Sequence, residues 1–459
     1  MDWNKALQGA LPVLQLLESH GYEAVFVGGC VRDTWIGREL KDVDIATSAT
    51  PQQVMEVFPH TIPTGLKHGT VTVIQDGEAY EITTYRTESG YEQFRRPKEV
   101  AFVTSLEADL ERRDFTINAM AMRPDGTIVD PFGGMQDMER RTLRCVGDSD
   151  ARFQEDALRM VRAIRFAAEF GMSIASDTWR ALIRHRTLLS YVAMERVGAE
   201  ADKMMGGKNP LLAMRWMAAS GLLAHTKREL PPRLLRADTL LNDASASDEV
   251  NVSDRSFCIL NTVDALPEVD NRWSALCLAC SLTDEETAEL FHQLRYSLAR
   301  MQHVSAVVRV HFRMRCKATE GEADGQLRLL WTSTLLSEGK QASLAWLGIM
   351  RVIPALLLAR QEADSQDNGL PVELEARLDK LALWLGEMPV WSVKDLAVGG
   401  RDLLQVLGRP AGPWMSGLLN DLVRAVAERR IPNDRDQLLA YAASMNEAVR
   451  ANRADKESP

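Results

Sequence analysis

The chain has 459 residues, and at roughly 150 residues per domain that length implies about three modules rather than one compact core. A hydrophobic fraction of 46% and a charged fraction of 26% are those of a globular protein and exclude a disordered, collagen-like or fibrous one. The formal net charge of −10 excludes nucleic-acid binding through bulk positive charge, so any phosphate-bearing partner must be met by a local basic surface.

The opening Met1-Asp2-Trp3 lacks the basic segment and apolar run of a secretory signal. In chain order, residues 7–17 read as an amphipathic helix and residues 22–27 as a strand that ends in Gly28-Gly29, and a helix begins over 31–36. Residues 43–46 form a second short strand. Residues 70–74 and 79–85 are paired strands around the Asp76-Gly77 turn, and Ile128-Val129 precedes another turn. Beyond a boundary near Gly147 the periodicity is mostly helical, so the expected class is α+β: a mixed-sheet head followed by helical modules. Polar stretches at 242–254, 318–325 and 361–371 mark loops or boundaries, and no fixed-period repeat or low-complexity block is present. The apolar stretch 342–359 is interrupted by Arg351 and Pro354, which argues against a membrane span. The six cysteines form no dense framework, and Cys277 and Cys280, although spaced C-x-x-C, lie in an apolar run and read as core. A cytoplasmic protein is expected.

Chemistry concentrates in residues 28–47, GGCVRDTWIGRELKDVDIAT. Side chains two apart on a strand share a face, so Asp42 and Asp44 converge, and paired hard oxygen ligands suit Mg²⁺ completed by substrate phosphates. Just upstream, Gly28 and Gly29 permit close backbone approach to phosphate at a helix start. Arg32 adds a guanidinium fork there, unless it simply pairs with Asp33. Glu81, in EITTYR, is either a third carboxylate of the cluster or a solvent-facing strand residue. Arg112-Arg113-Asp114 pairs two guanidinium groups with a carboxylate that orients an arginine or the local backbone.

Residues 151–171, ARFQEDALRMVRAIRFAAEFG, read as one helix with Ser149 or Asp150 as N-cap and Gly171 as its stop. Phe153, Ala157, Met160, Val161, Ile164 and Ala168 form its apolar stripe, leaving Asp156, Arg159, Arg162 and Arg165 on the polar side. From spacing alone, Asp156 and Arg159 are an ordinary i,i+3 surface ion pair.

Taken in order, these segments, with ERRDFTINAMA, DPFGG at 130–134, MERV at 194–197 and DLAVGGRDLLQVLGRPAGPW at 395–414, resemble the class II tRNA nucleotidyltransferases, the bacterial CCA-adding enzymes of the polymerase β superfamily. The resemblance implies a seahorse-like arrangement: a nucleotidyltransferase head at 1–147, a helical neck with the nucleotide-selecting helix at 148–222, a helical body at 223–365 and a tRNA-binding helical tail at 366–459. It implies Mg²⁺ held by Asp42 and Asp44 with support from Glu81, and nucleotide contacts from Gly28, Gly29, Arg32 and Arg113. Asp156 and Arg159 then become the pair that reads the base edge of CTP or ATP, with Arg162 and Arg165 in the same helix. The implied reaction adds C, C and A to the 3′ end of tRNA and releases pyrophosphate. The polar stretch 87–98 corresponds to the family's flexible loop, which helps switch specificity from C to A. The implied partners are tRNA, CTP and ATP, with no membrane and no obligatory protein partner.

Two relatives compete. Bacterial poly(A) polymerases share the head motifs but carry a basic G-R-R-F-type segment where this chain reads FPHTIPTGLKHGTVTVI, and the loop argues against a CC-adding enzyme without excluding an A-adding one. A catalytically dead RNA-binding scaffold would not need two converging carboxylates. His292, His303 and His311 lack the spacing of an HD-type phosphohydrolase site. Arg401, Arg409, Arg424, Arg429 and Arg430 read individually as ordinary surface residues of a tail that as a whole touches tRNA.

Overall fold

A computed structural model describes residues 5–40, 42–92, 94, 96–235, 259–319, 324–357 and 372–456. The stretches 242–254 and 361–371 and residues 320–323 of 318–325 lie outside them. The chain divides into two compact units, one of residues 1–253 with 293–296 and one of 254–292 with 297–459.

The first unit begins with α1 (Lys5–Ser19), which buries Leu7, Ala10, Val13, Leu14 and Leu17 at helical spacing and keeps Pro12 on its exposed side. β1 (Ala24–Val27) is buried throughout, as a central strand should be, and leads through Gly28 into α2 (Gly29–Trp35). β2 (Asp44–Thr47) follows, then α3 (Pro51–Val57), which starts at a Thr50/Gln53 capping box with Pro51 in the first turn. β3 (Thr61–Gly65), β4 (Thr70–Gln75) and β5 (Glu78–Thr84) form a meander. Asp76 and Gly77 both take positive φ, 53° and 84°, in the two-residue turn between β4 and β5.

β8 (Ala121–Met122) and β9 (Ile128–Val129) complete a mixed seven-stranded sheet of order β3-β4-β5-β2-β1-β8-β9, in which β2 runs parallel to β5 and antiparallel to β1. One face packs Phe26, Ile45, Val71, Val73 and Ile82 under α1 and α3. Part of the other packs Val25, Val27 and Ala46 against Leu106 and Leu110 of α4 (Leu106–Glu111). The edge strand β3 has no apolar alternation and is absent from the sequence reading. The polar stretch 87–98 lies in an antiparallel hairpin, β6 (Arg86–Glu92) with β7 (Arg96–Phe102).

The helices that follow are α5 (Gly134–Glu139), α6 (Ser149–Glu155), α7 (Leu158–Phe170), α8 (Ser176–His185), α9 (Met194–Gly206) and α10 (Pro210–Ser220). The expected single helix over 151–171 is therefore two. Asp156 is extended, at φ −140° and ψ 104°, and the N-cap of α6 is Asp148. Gly171 does end α7, in a left-handed conformation.

The second unit is helical among its described residues, with long helices at Leu298–Thr319, Asp324–Glu338 and Arg435–Lys456. Cys277 and Cys280 are buried free thiols, and burial pushes the Cys280 thiol up to about 12, the state of inert core cysteines. His311 is buried against Trp346 and held neutral, its pKa lowered to about 4 by burial and Arg315. Four of the five tail arginines have intramolecular partners: Arg429 with Glu387 at 2.9 Å, Arg430 and Arg424 with Glu428, and Arg409 with Asn446 and the Trp414 ring. No helix of the described residues is long and apolar enough to cross a membrane.

Candidate active site

The site grows from the junction of β1 and α2. Gly28 has φ 68°, a left-handed conformation that favours glycine, and a Cβ there would stand 2.8 Å from the movable tip of Arg113, Nη1. At seven residues α2 is short, and the junction offers backbone access more than a strong dipole. Arg32, 7% exposed, gives Nε and Nη2 to the two Asp33 oxygens at 3.0 and 3.1 Å, gives Nη1 to Asn118 Oδ1, and lies 4.5 Å over the Phe170 ring. The Asp33 pairing is thus real, and Arg32 also ties the junction to the Arg112–Asn118 segment.

Asp44 opens β2, while Asp42 sits in the chain just before it rather than on the strand. Parallel pairing of β2 with β5 sets Glu81 directly beside Asp44, and all three carboxylates are exposed. Although it reaches solvent, Asp44 is recessed among protein atoms. This desolvation, opposed by Arg113 and reinforced by Glu81 and Asp42, raises its pKa. The region is short of positive charge, and its hard oxygen donors fit a hard divalent cation. Among the described residues no three His, Cys, Asp or Glu side chains form a metal cage by themselves. Such a site matches an ion that draws its remaining ligands from substrate phosphates and water.

Arg113 is held loosely, by Asp109 at 3.3 Å and the Asn118 carbonyl at 3.4 Å, and its buried Nε has no partner among the described residues. Asp114 does both things expected of it. Oδ1 accepts from Phe115 N and Asn118 Nδ2, and Oδ2 accepts from Arg162 Nε and Nη2 at 2.9 and 2.7 Å. Burial pulls its carboxyl up, but Arg162, Asn118 and Arg159 outweigh that and hold it at about 2. The DPFGG segment is architectural: Asp130 accepts from Gly134 N and Met135 N at 2.7 and 2.8 Å and caps α5.

The break between α6 and α7 displays Asp156. Its Oδ1 caps Leu158 N at 3.0 Å, while Arg196 of α9 clasps both oxygens at 3.3 and 2.7 Å. Arg159, 9% exposed, donates to Glu155 Oε2 at 2.5 Å and to the Arg112 carbonyl at 2.8 Å. Phe94, at the tip of the β6–β7 hairpin, accepts a hydrogen bond from Ala157 N at 3.0 Å, and its ring packs on Tyr191 at 5.1 Å. The expected polar face of α7 is not a solvated one. Arg162 is drawn to Asp114, and Arg165 is bound to Glu200 at 2.5 Å and stacked on Phe166 at 3.9 Å. The sequence reading missed Arg196, Glu155, Asn118 and Glu200 as partners. Glu155, four residues before Arg159, and Asn118, four after Asp114, are close in sequence to those partners, whereas Arg196 and Glu200 are not.

Three family models match in order: the poly A polymerase head domain over residues 24–144, a probable RNA- and SrmB-binding site of polymerase A over 171–233, and a putative tRNA nucleotidyltransferase domain 2 over 265–442. The CCA-adding enzyme of Geobacillus stearothermophilus is 35% identical over 446 residues, spanning 97% of this chain and 98% of the relative. This chain belongs to the CCA-adding enzymes. Its similarity to the CCA-adding enzyme of Geobacillus kaustophilus is 37% over 452 residues, 96% of this chain and 98% of that one. Among solved structures, that of the Bacillus stearothermophilus CCA-adding enzyme in complex with CTP aligns with a TM-score of 0.77 at 33% identity, covering 98% of this chain and 100% of that one. The Thermotoga maritima CCA-adding enzyme complexed with tRNA shares the fold, with a TM-score of 0.57 at 19% identity over 96% of each chain. The relation to CCA-adding enzymes runs through both units and is not confined to the head.

Proposed function

We propose that the chain adds C, C and A to the 3′ end of tRNA from CTP and ATP, working in the cytoplasm, with a head at 1–147, a neck at 148–222, a body at 223–365 and a tRNA-binding tail at 366–459. The observation that carries this reading is the register of β2 and β5, which sets Asp44 beside Glu81 near Gly28 and Arg113 in a chain related end to end to CCA-adding enzymes. The nucleotide lies with its triphosphate over Gly28-Gly29 and Arg113, whose partnerless Nε and weak bonds leave it free to turn toward phosphate. Asp42 and Asp44, supported by Glu81, would hold Mg²⁺, which when bound would supply charge neutralisation and a more acidic attacking hydroxyl.

The 3′-terminal oxygen of tRNA forms a bond to the α-phosphorus as the bond to the bridging oxygen breaks and pyrophosphate leaves. The hydroxyl proton passes to water at the exposed mouth. At the other end of the nucleotide, Asp156 accepts from the exocyclic amino group of cytosine or adenine, and Arg159 donates to ring nitrogen or carbonyl oxygen. Uracil has no exocyclic amino group, and guanine carries a carbonyl where adenine carries its amino group, with a protonated ring nitrogen beside it. Arg32, Arg162 and Arg165 line the same nucleotide site and also hold the junction and α7 in place through Asp33, Asp114 and Glu200. Through Phe94, the β6–β7 hairpin touches the residue after Asp156, a route by which the hairpin influences base choice.

The reading is tested by extending tRNA transcripts that end before CCA, after C and after CC, with Mg²⁺ and CTP, ATP or both. All three are expected to be completed, and Asp42→Ala or Asp44→Ala to abolish extension. Extension of the CC-ended transcript alone would make this an A-adding enzyme. A long A-tail on unrelated RNA would make it a poly(A) polymerase.

A further inference from the structure

On β2, β5 and β4 the residues that face the core under α1 and α3 are Ile45, Ile82 and Val71 with Val73. Their alternates point the other way, and the strand register aligns them in one row: Asp44 beside Glu81, Glu81 beside Thr72, and Thr72 beside Ile62 on the edge strand. This row is open. Asp44 and Glu81 are exposed, Thr72 is half-buried, and Ile62, an apolar side chain on a sheet edge, is 51% exposed. Past Glu81 the row itself is uncharged and carries hydroxyls. Thr64 and Thr72 lie 3.0 Å apart, oxygen to oxygen, and one bond between two hydroxyls leaves a second hydrogen to donate outward.

In-line displacement requires the attacking hydroxyl to arrive on the side of the α-phosphorus opposite the departing pyrophosphate. The strand order β3-β4-β5-β2-β1 puts Gly28, α2 and the phosphate-facing Arg113 on the β1 side of Asp44 and the threonine row on the other. The occupant must also be accepted whatever its last base, because the terminal nucleotide changes with each addition. Backbone contacts from neutral hydroxyls meet that requirement, since they carry no base information.

We propose that the open face of β5, β4 and β3 is the landing surface for the last nucleotides of the RNA acceptor end. Thr72 donates its hydroxyl to a phosphate oxygen there, and Ile62 packs beneath a ribose. This rests on the functional reading above. Thr72→Val keeps a β-branched side chain of the same shape on the strand and removes only the hydroxyl. It is expected to raise KM for tRNA roughly 3- to 10-fold, the effect of one hydrogen bond, while leaving KM for CTP unchanged. Thr72→Ser is expected to restore the wild-type value. Ile62→Asp, at an exposed position, places a negative charge under the phosphates and is expected to raise KM for tRNA in a manner that added salt reduces. Unchanged KM for tRNA in both Thr72→Val and Ile62→Asp, or an effect on CTP instead, would overturn the proposal while an active wild type kept the functional reading intact. A wild-type protein that extends no tRNA would overturn both.

Discussion

The carboxylate of Asp156 cannot turn without releasing Arg196, which holds both of its oxygens from a different helix. A side chain that reads a base edge has to be fixed before the base arrives, and Arg196 does this for Asp156 as Glu155 does for Arg159. Lysine cannot reproduce a two-pronged bond to a carboxylate. Arg196→Lys is therefore expected to raise incorporation of UTP or GTP relative to CTP and ATP by about 10-fold, as loss of a charge-assisted hydrogen bond allows. Competition between nucleotides on one tRNA end checks this, and unchanged selectivity would show that Asp156 is held by its bond to Leu158 N alone. At this scale the sequence was unevenly legible. The D-x-D and the strand glutamate are local patterns, and β2–β5 pairing sets Asp44 beside Glu81, whereas Asp42 precedes the strand, so alternation does not place it. Arg196 lies 40 residues from Asp156, and nothing in the spacing of either links the two.

At the scale of elements, the break between α6 and α7 explains why periodicity misread this region. Phe153, Ala157, Met160, Val161, Ile164 and Ala168 are all buried, so the apolar stripe runs on across the interruption. What ends α6 is the aspartate itself, which prefers to cap Leu158 N, together with a bond from Ala157 N to a hairpin tip distant in sequence. The hairpin and the edge strand β3 were invisible for a related reason: neither alternates apolar and polar residues. The central strands, the Asp76-Gly77 turn and the Gly171 stop were legible because each is decided by neighbouring residues. DPFGG was recognised but given no role, and α5 supplies one. A Cβ on Gly134 would lie 2.3 Å from the Thr116 carbonyl oxygen, which belongs to the segment carrying Arg113 and Asp114. Gly134→Ala is expected to cost about 1–3 kcal/mol of stability in urea unfolding. A variant as stable as the parent would mean that α5 does not brace this segment.

At the scale of the whole molecule, a chain of net charge −10 handles RNA without bulk positive charge, which places the recognition burden on particular surfaces. The family relation extends through both compact units, whereas the groups proposed for chemistry and base choice all lie in the first. The central claim is that a protein carboxylate and guanidinium, not a nucleic-acid template, select which nucleotides are added. The most direct measurement incubates a tRNA lacking its terminal nucleotides with the protein, Mg²⁺ and all four nucleoside triphosphates at equal concentration, then sequences the 3′ ends. The account predicts C, C and A added in that order with no further extension. Tails of A alone, mixed additions, or growth beyond three nucleotides would contradict it.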